Sequence, residues 1–105
     1  MNIVLTGGTG MLGKAILRVA PNLTPHFRFL APTRPELDLL DRVSVHRYFL
    51  QNKCDAVIHC AAKVGGIKAN INDPIGFMTE NILISTHVIE EARLHKIPKL
   101  IKGLA

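Results

Sequence analysis

Apolar runs alternate with helical patterns along this chain, and the alternation predicts the order of its elements. Asn2-Ile3-Val4-Leu5-Thr6 is a short apolar run that ends at a glycine, the pattern of a buried strand. In residues 10–20, Leu12, Ala15, Ile16 and Val19 occupy the i, i+3, i+4 and i+7 positions of a helix face, and Pro21 is expected to stop that helix. His26 to Ala31 reads as a second strand, ended by Pro32. Residues 32–40 read as a connection in which Leu37, Leu39 and Leu40 are a candidate stub of strand. Asp41 is placed to cap a helix running to about Asn52, with Val45 and Phe49 on one face. Asp55 to Cys60 is a third strand, and a loop of small residues follows from Ala61 to about Asn72. Pro74, a common first-turn residue, opens a long helix to His95, and Pro98 to Ile101 begins a fourth strand.

The predicted order is β-α-β-α-β-α-β. Strands joined by helical crossovers make a parallel sheet with helices on both faces, a Rossmann-like, doubly wound α/β fold. The strands are expected in the order second, first, third, fourth. A complete dinucleotide fold of this kind carries more strands, so the expectation is a single domain over residues 1–105, truncated after about four strands.

An apolar share of 48% argues against disorder, and no apolar run approaches the roughly 20 residues of a membrane span. The first apolar run is too short for a signal peptide, which leaves the cytoplasm as the default expectation. The 13 Lys and Arg exceed the 8 Asp and Glu, a net charge of +5. The basic residues are scattered, apart from a cluster from Arg93 to Lys102 that reads as a solvated helix end. With no nucleic-acid-binding signature, a nucleic-acid partner is not expected, whereas a mildly basic domain suits an anionic small molecule such as a nucleotide. Cys54 and Cys60 flank one strand, roughly 20 Å apart when extended, so no disulfide is expected. Neither has a CxxC partner, and no metal site is expected.

The strongest local signal is Thr6-Gly7-Gly8-Thr9-Gly10-Met11-Leu12-Gly13, between the first strand and the first helix. Gly7 permits a tight turn, Gly10 lets backbone N–H groups approach a pyrophosphate, and Gly13 lets the helix pack close to the sheet. The helix N-terminus adds unpaired N–H donors and the positive end of its dipole. The spacing is G-x-x-G-x-x-G, not the G-x-G-x-x-G of ordinary dehydrogenases. After the second strand, where an NAD-binding unit usually carries an acidic residue for the ribose 2′-hydroxyl, the chain reads Ala31-Pro32-Thr33-Arg34. A guanidinium there can clamp a 2′-phosphate, which favours NADP over NAD, the alternative being a solvated arginine. Ala61 and Ala62 fall at the carboxyl end of the third strand, where open α/β sheets bind ligands and small side chains leave room for a ribose. His59, on the strand body, reads as a structural hydrogen-bonding residue.

Thr6 to Gly13 together with Asp55 to Ala62 resembles the extended short-chain dehydrogenase/reductase family, whose second motif is Asp-x-apolar-x-His-x-Ala-Ala. Ala61-Ala62-Lys63-Val64-Gly65-Gly66-Ile67-x-Ala69-Asn70, then Pro74, Phe77 and Asn81, is similar to the GDP-L-fucose synthase branch of that family, as is Thr33-Arg34-x-Glu36-Leu37-Asp38-Leu39-x-Asp41. The resemblance implies NADPH binding and, for the parent enzymes, 3,5-epimerisation and 4-reduction of GDP-4-keto-6-deoxymannose. By position it implies Gly7, Gly8, Thr9, Gly10, Met11, Leu12 and Gly13 on the pyrophosphate and Arg34 on the 2′-phosphate. Asp38, Leu39 and Asp41 would then lie along the adenine, and Ala61, Ala62 and Lys63 beside the nicotinamide ribose. Val64, Gly65 and Gly66 would border the pocket for a GDP-sugar substrate.

The chain departs from the family at the catalytic pair. The family's proton donor is the Tyr of Tyr-x-x-x-Lys, but the one tyrosine here is Tyr48, and Asn52 stands four residues on. No catalytic residue is therefore assigned, and the expectation is the N-terminal, NADP-binding portion of such an enzyme without its substrate domain. A non-catalytic nucleotide-binding module, or a portion of another nucleotide-sugar epimerase or dehydratase, remains the alternative reading. Self-association through an open C-terminal strand edge is also expected.

Overall fold

The computed structural model describes residues 1–61 and 72–103. Its elements are β1 (Asn2–Thr6), α1 (Met11–Leu23), β2 (Arg28–Leu30), α2 (Arg42–Gln51), β3 (Ala56–His59), α3 (Pro74–Leu94) and β4 (Lys99–Lys102). The four strands form one parallel sheet in the order β2-β1-β3-β4, as the alternation predicts. Val4 pairs with Leu30 on one side and with Val57 on the other, and Val57 pairs onward with Leu100. This register brings the carboxyl ends of β1 and β3 level with each other.

Successive side chains of a strand point to opposite faces. On one face Val4 and Val57 are fully buried against Val45 and Phe49 of α2 and Val88 of α3, with Leu37 and Cys54 completing the core. On the other face Leu5 is fully buried near Leu17 of α1. Among the described residues no helix is long and apolar enough to cross a membrane.

The helix starts were legible and the helix faces less so. Asp41 caps α2 as expected, its carboxylate accepting from the Val43 N–H at 3.0 Å. Asp73 caps α3 in the same way, accepting from the Gly76 N–H, and Pro74 occupies the first turn. In α1 the expected face is wrong: Leu12 and Val19 are exposed and Gly13 is buried. The helix rotates to lay its one glycine on the backbone of the preceding loop, and a face counted in large apolar residues misses that contact. Nor does Pro21 stop α1, which continues to Leu23. A proline in the last turn forfeits only one backbone bond, and Thr24 closes the helix by donating both its N–H and its hydroxyl to the Ala20 carbonyl.

The second strand is shorter than the His26–Ala31 expected, because the Phe27 N–H turns back to the Thr24 carbonyl before pairing begins. The expected strand stub at Leu37–Leu40 is a pair of turns. Thr33 donates its N–H and hydroxyl to the Glu36 carboxylate, and those bonds hold the Glu36 pKa below the ordinary carboxylate value. The two cysteines are free thiols, as expected. Arg93, in the basic cluster, is an exposed side chain ion-paired with Glu90. The end of α3 is a Schellman turn, with the Ile97 N–H on the Ala92 carbonyl and the Lys96 N–H on the Arg93 carbonyl. Lys96 takes the left-handed position at φ 55° that glycine usually fills.

Candidate functional site

A cleft of about 920 Å³ opens over the carboxyl ends of β1 and β3, and the glycine loop forms one wall of it. Thr6, Gly7, Gly8, Thr9 and Gly10 line it from β1, and Cys60 and Ala61 from the end of β3. Arg34, Asp38 and Leu39 line it from the connection after β2. Three groups of residues singled out from separate stretches of sequence therefore share one cavity. Leu40, Glu80 and Ile84 join them, and nothing in the motifs marked those three.

Three glycines of the loop have different reasons to be glycine. Gly7 has φ +76°, and a Cβ there would stand 2.6 Å from the backbone nitrogen of Ala61, where β3 ends. That crowding, together with a left-handed backbone, admits no other residue without strain. Gly13 is buried, and a Cβ on it would collide with the Gly7 carbonyl. Gly10 is unlike both. Its backbone is extended at φ −78° and ψ 173°, and a Cβ would meet only the Gly7 carbonyl oxygen, at 3.4 Å. The fold by itself tolerates a side chain at Gly10, and the space it would occupy belongs to the cleft.

Gly10 is also the N-cap of α1, and no side chain caps the helix there. The first turn holds no acidic residue. The first N–H groups of a helix have no partner within it, so α1 brings unspent donors and a positive dipole end to the cleft wall. Met11, the first helical residue, is 92% exposed. Leu12 turns elsewhere and packs toward Gly103 after β4.

Among the described residues no side chain pairs with the Arg34 guanidinium, which lines the cleft and is exposed. Asp38 lines it too, but its carboxylate accepts from the Leu40 N–H and its own N–H donates to Ser44. Asp41, also expected along a ligand, is outside the lining residues, and its carboxylate is spent on capping α2. Ala61 sits at the cleft. Ala62, Lys63, Val64, Gly65 and Gly66 lie outside the described residues.

A hydrogen-bonded strut holds the cleft floor together. The Ala61 N–H donates to Thr6 Oγ1 at 3.3 Å, and Thr6 Oγ1 lies 2.6 Å from His59 Nδ1. The other ring nitrogen, Nε2, is buried and has no hydrogen-bond partner among the described residues. Burial, reinforced by the Lys102 charge, lowers the His59 pKa to about 4, so the ring is neutral at neutral pH. His59 therefore ties β3 to β1, the structural role its place on the strand body predicts. Burial raises the pKa of both the Cys60 and the Cys54 thiols, so neither has the thiolate character of a nucleophile.

The family model described as NAD dependent epimerase/dehydratase matches residues 3–103. A GDP-L-colitose synthase of Yersinia pseudotuberculosis is 40% identical over 101 residues, 96% of this chain and 32% of that protein. A GDP-L-fucose synthase of Escherichia coli is 36% identical over 99 residues, 94% of this chain and 30% of that one. Among solved structures, a GDP-mannoheptose C4 reductase from Campylobacter jejuni with NADP bound superimposes at a TM-score of 0.87 and 28% identity, covering 96% of this chain and 32% of its own. The chain thus spans about a third of the length of the proteins it matches. The family match over nearly the whole chain, on a fold that forms a cleft of this shape, shows that the chain belongs to the NAD dependent epimerase/dehydratase family.

Proposed function

We propose that residues 1–105 are an NADP-binding unit of a GDP-sugar epimerase/reductase of the GDP-L-fucose synthase kind. The observation that carries this reading is the glycine that the fold does not need. Gly7 and Gly13 are required by packing, whereas Gly10 leaves open a space that faces the cleft beside uncapped helix donors. A pyrophosphate is the group that fits donors of this kind with no side chain in front of them. Arg34, without a side-chain partner among the described residues and in the same cleft, is placed for a 2′-phosphate. Leu39 and Asp38 lie along the path of the adenine, and Ala61, Ala62 and Lys63 take the nicotinamide ribose. Val64, Gly65 and Gly66 border the GDP-sugar.

Bound NADPH supplies the hydride of a 4-keto reduction. The glycine loop, Arg34 and the residues after β3 bind and orient it, and none of them is a proton donor at the family's spacing. Tyr48 lies on α2 and faces a separate hollow with Pro32 and Gln51. Burial is the first cause that raises its pKa and keeps the phenol protonated. The 105-residue chain is accordingly a binder without turnover of its own.

Calorimetric titration with NADPH and with NADH tests the reading. NADPH should bind more tightly, and Arg34→Ala should weaken it by about 1.5–3 kcal/mol, the scale of a hydrogen bond to a charged group, while leaving NADH unchanged. Equal weakening of both cofactors assigns Arg34 a structural role, and oxidation of NADPH by the chain with GDP-4-keto-6-deoxymannose refutes the absence of turnover.

A further inference from the structure

Between α2 and α3, and outside the lining of the cleft, three side chains converge that the cofactor reading does not use. Glu91 of α3 is a carboxylate buried to 2% exposure. His46 Nδ1 lies 2.6 Å from Glu91 Oε1, His95 Nε2 lies 3.2 Å from His46 Nδ1, and His95 Nε2 lies 3.7 Å from Glu91 Oε1. The other carboxylate oxygen, Oε2, is held by Arg42 Nε at 3.5 Å. Glu91 of α3 and His95, the residue that caps its C-terminus, are four residues apart, and His46 reaches them from α2.

We propose that His46, Glu91 and His95 form a Zn²⁺ site that clips α2 to α3. Two ligand atoms about 2.05 Å from a tetrahedral ion stand roughly 3.3 Å apart. The three separations observed, 2.6, 3.2 and 3.7 Å, bracket that value. The donor set is two imidazole nitrogens and one carboxylate oxygen, which suits Zn²⁺ and not Ca²⁺ or Mg²⁺, cations that take oxygen ligands. The two rings stand 4.8 Å apart and tilted at 52°, so they do not stack face to face, and His46 Nδ1 and His95 Nε2 are on their facing edges. Arg42 engages only Oε2, which orients the carboxylate and leaves Oε1 for the ion, an outer-shell arrangement common at metal sites. The ion takes the place of the hydrogen that now bridges His46 Nδ1 and Glu91 Oε1. His46 is half-exposed, so water has access to the fourth position.

The test is a calorimetric titration of the metal-stripped 105-residue chain with zinc chloride alone, followed by the visible spectrum with Co²⁺. One equivalent should bind, raise the melting temperature and give the intense bands of a four-coordinate ion without sulfur charge transfer. His46→Gln, at a half-exposed position, should keep the circular dichroism of the native chain and lose at least about tenfold in affinity, as should His95→Gln. A double Cys54→Ser, Cys60→Ser variant should bind as the native chain does. Absence of stoichiometric binding, affinity unmoved by His46→Gln, or loss in the cysteine variant overturns the proposal.

Discussion

Replacing Gly10 by alanine separates what the fold needs from what a ligand needs. The backbone at φ −78° accepts any residue, and the new methyl meets the protein only at 3.4 Å from the Gly7 carbonyl. Alanine is a poorer N-cap than glycine, so the fold should lose between a few tenths and about 1 kcal/mol. In the cleft the same methyl stands in front of the first N–H groups of α1. Displacing a pyrophosphate from one of those donors forfeits a hydrogen bond to a charged group, roughly 1.5–3 kcal/mol, which is about a tenfold to hundredfold loss of affinity. Gly7→Ala is the control of opposite character. It incurs about 1–2 kcal/mol for the left-handed backbone and about 1–3 kcal/mol for overpacking against Ala61, a large part of a typical total stability of about 5–15 kcal/mol. Urea denaturation followed by circular dichroism measures the first quantity, and calorimetry with NADPH the second. If Gly10→Ala binds NADPH as the native chain does, or Gly7→Ala unfolds at the native urea concentration, the division of roles among these glycines is wrong.

Three further outcomes are expected. His59 is held neutral with a pKa of about 4 against 6.5, so the unfolded chain binds the extra proton and stability is lost as pH falls from about 6.5 to 4, by up to about 3 kcal/mol; urea midpoints at pH 7 and 4.5 should diverge for the native chain and much less for His59→Leu. Lys96→Gly relieves the left-handed position at the end of α3 and should raise stability by about 0.5–1 kcal/mol once the added freedom of the unfolded chain is counted, which thermal melts will show as a higher midpoint. β4 forms an edge of the sheet with Ile101 59% exposed, so sedimentation at micromolar concentrations should show concentration-dependent association, and a monomer that melts cooperatively well above about 60 °C would refute it.

How far the sequence could be read depended on the kind of signal. The strands β1 and β3 are continuous apolar runs buried on both faces, and each lies where its run predicts. Asp41 and Asp73 mark helix starts through local chemistry, which distant contacts do not alter. The face of α1 is not legible from its large apolar residues: Lys14, Arg18 and Asn22 share a polar side, yet the buried side is centred on Gly13 and not on Leu12 and Val19. Its orientation is set by the close approach of Gly13, a residue with no side chain to count. At the candidate site the glycine loop and Arg34 were legible as motifs. Glu80 and Ile84 reach the cleft from a helix far along the chain, through packing that no local pattern encodes. The cluster of His46 with Glu91 and His95 was hidden for the same reason, since only the i, i+4 pair at the end of α3 is visible in the sequence.

The central place of β1 in the sheet bears on how the chain emerges from a ribosome. β1 is flanked by β2 and β3, so Ile3, Val4 and Leu5 stay without one neighbour until Ala56, Val57 and Ile58 have followed them out of the ribosome. At about 5–20 residues per second that wait lasts roughly 3–10 seconds, a period in which the N-terminal apolar run is open to other nascent chains. Pauses that fall after β1 has left the ribosome and before β3 has left it lengthen the exposure and later pauses do not, so synonymous changes inside and outside that window are expected to differ in the soluble yield of an identical protein.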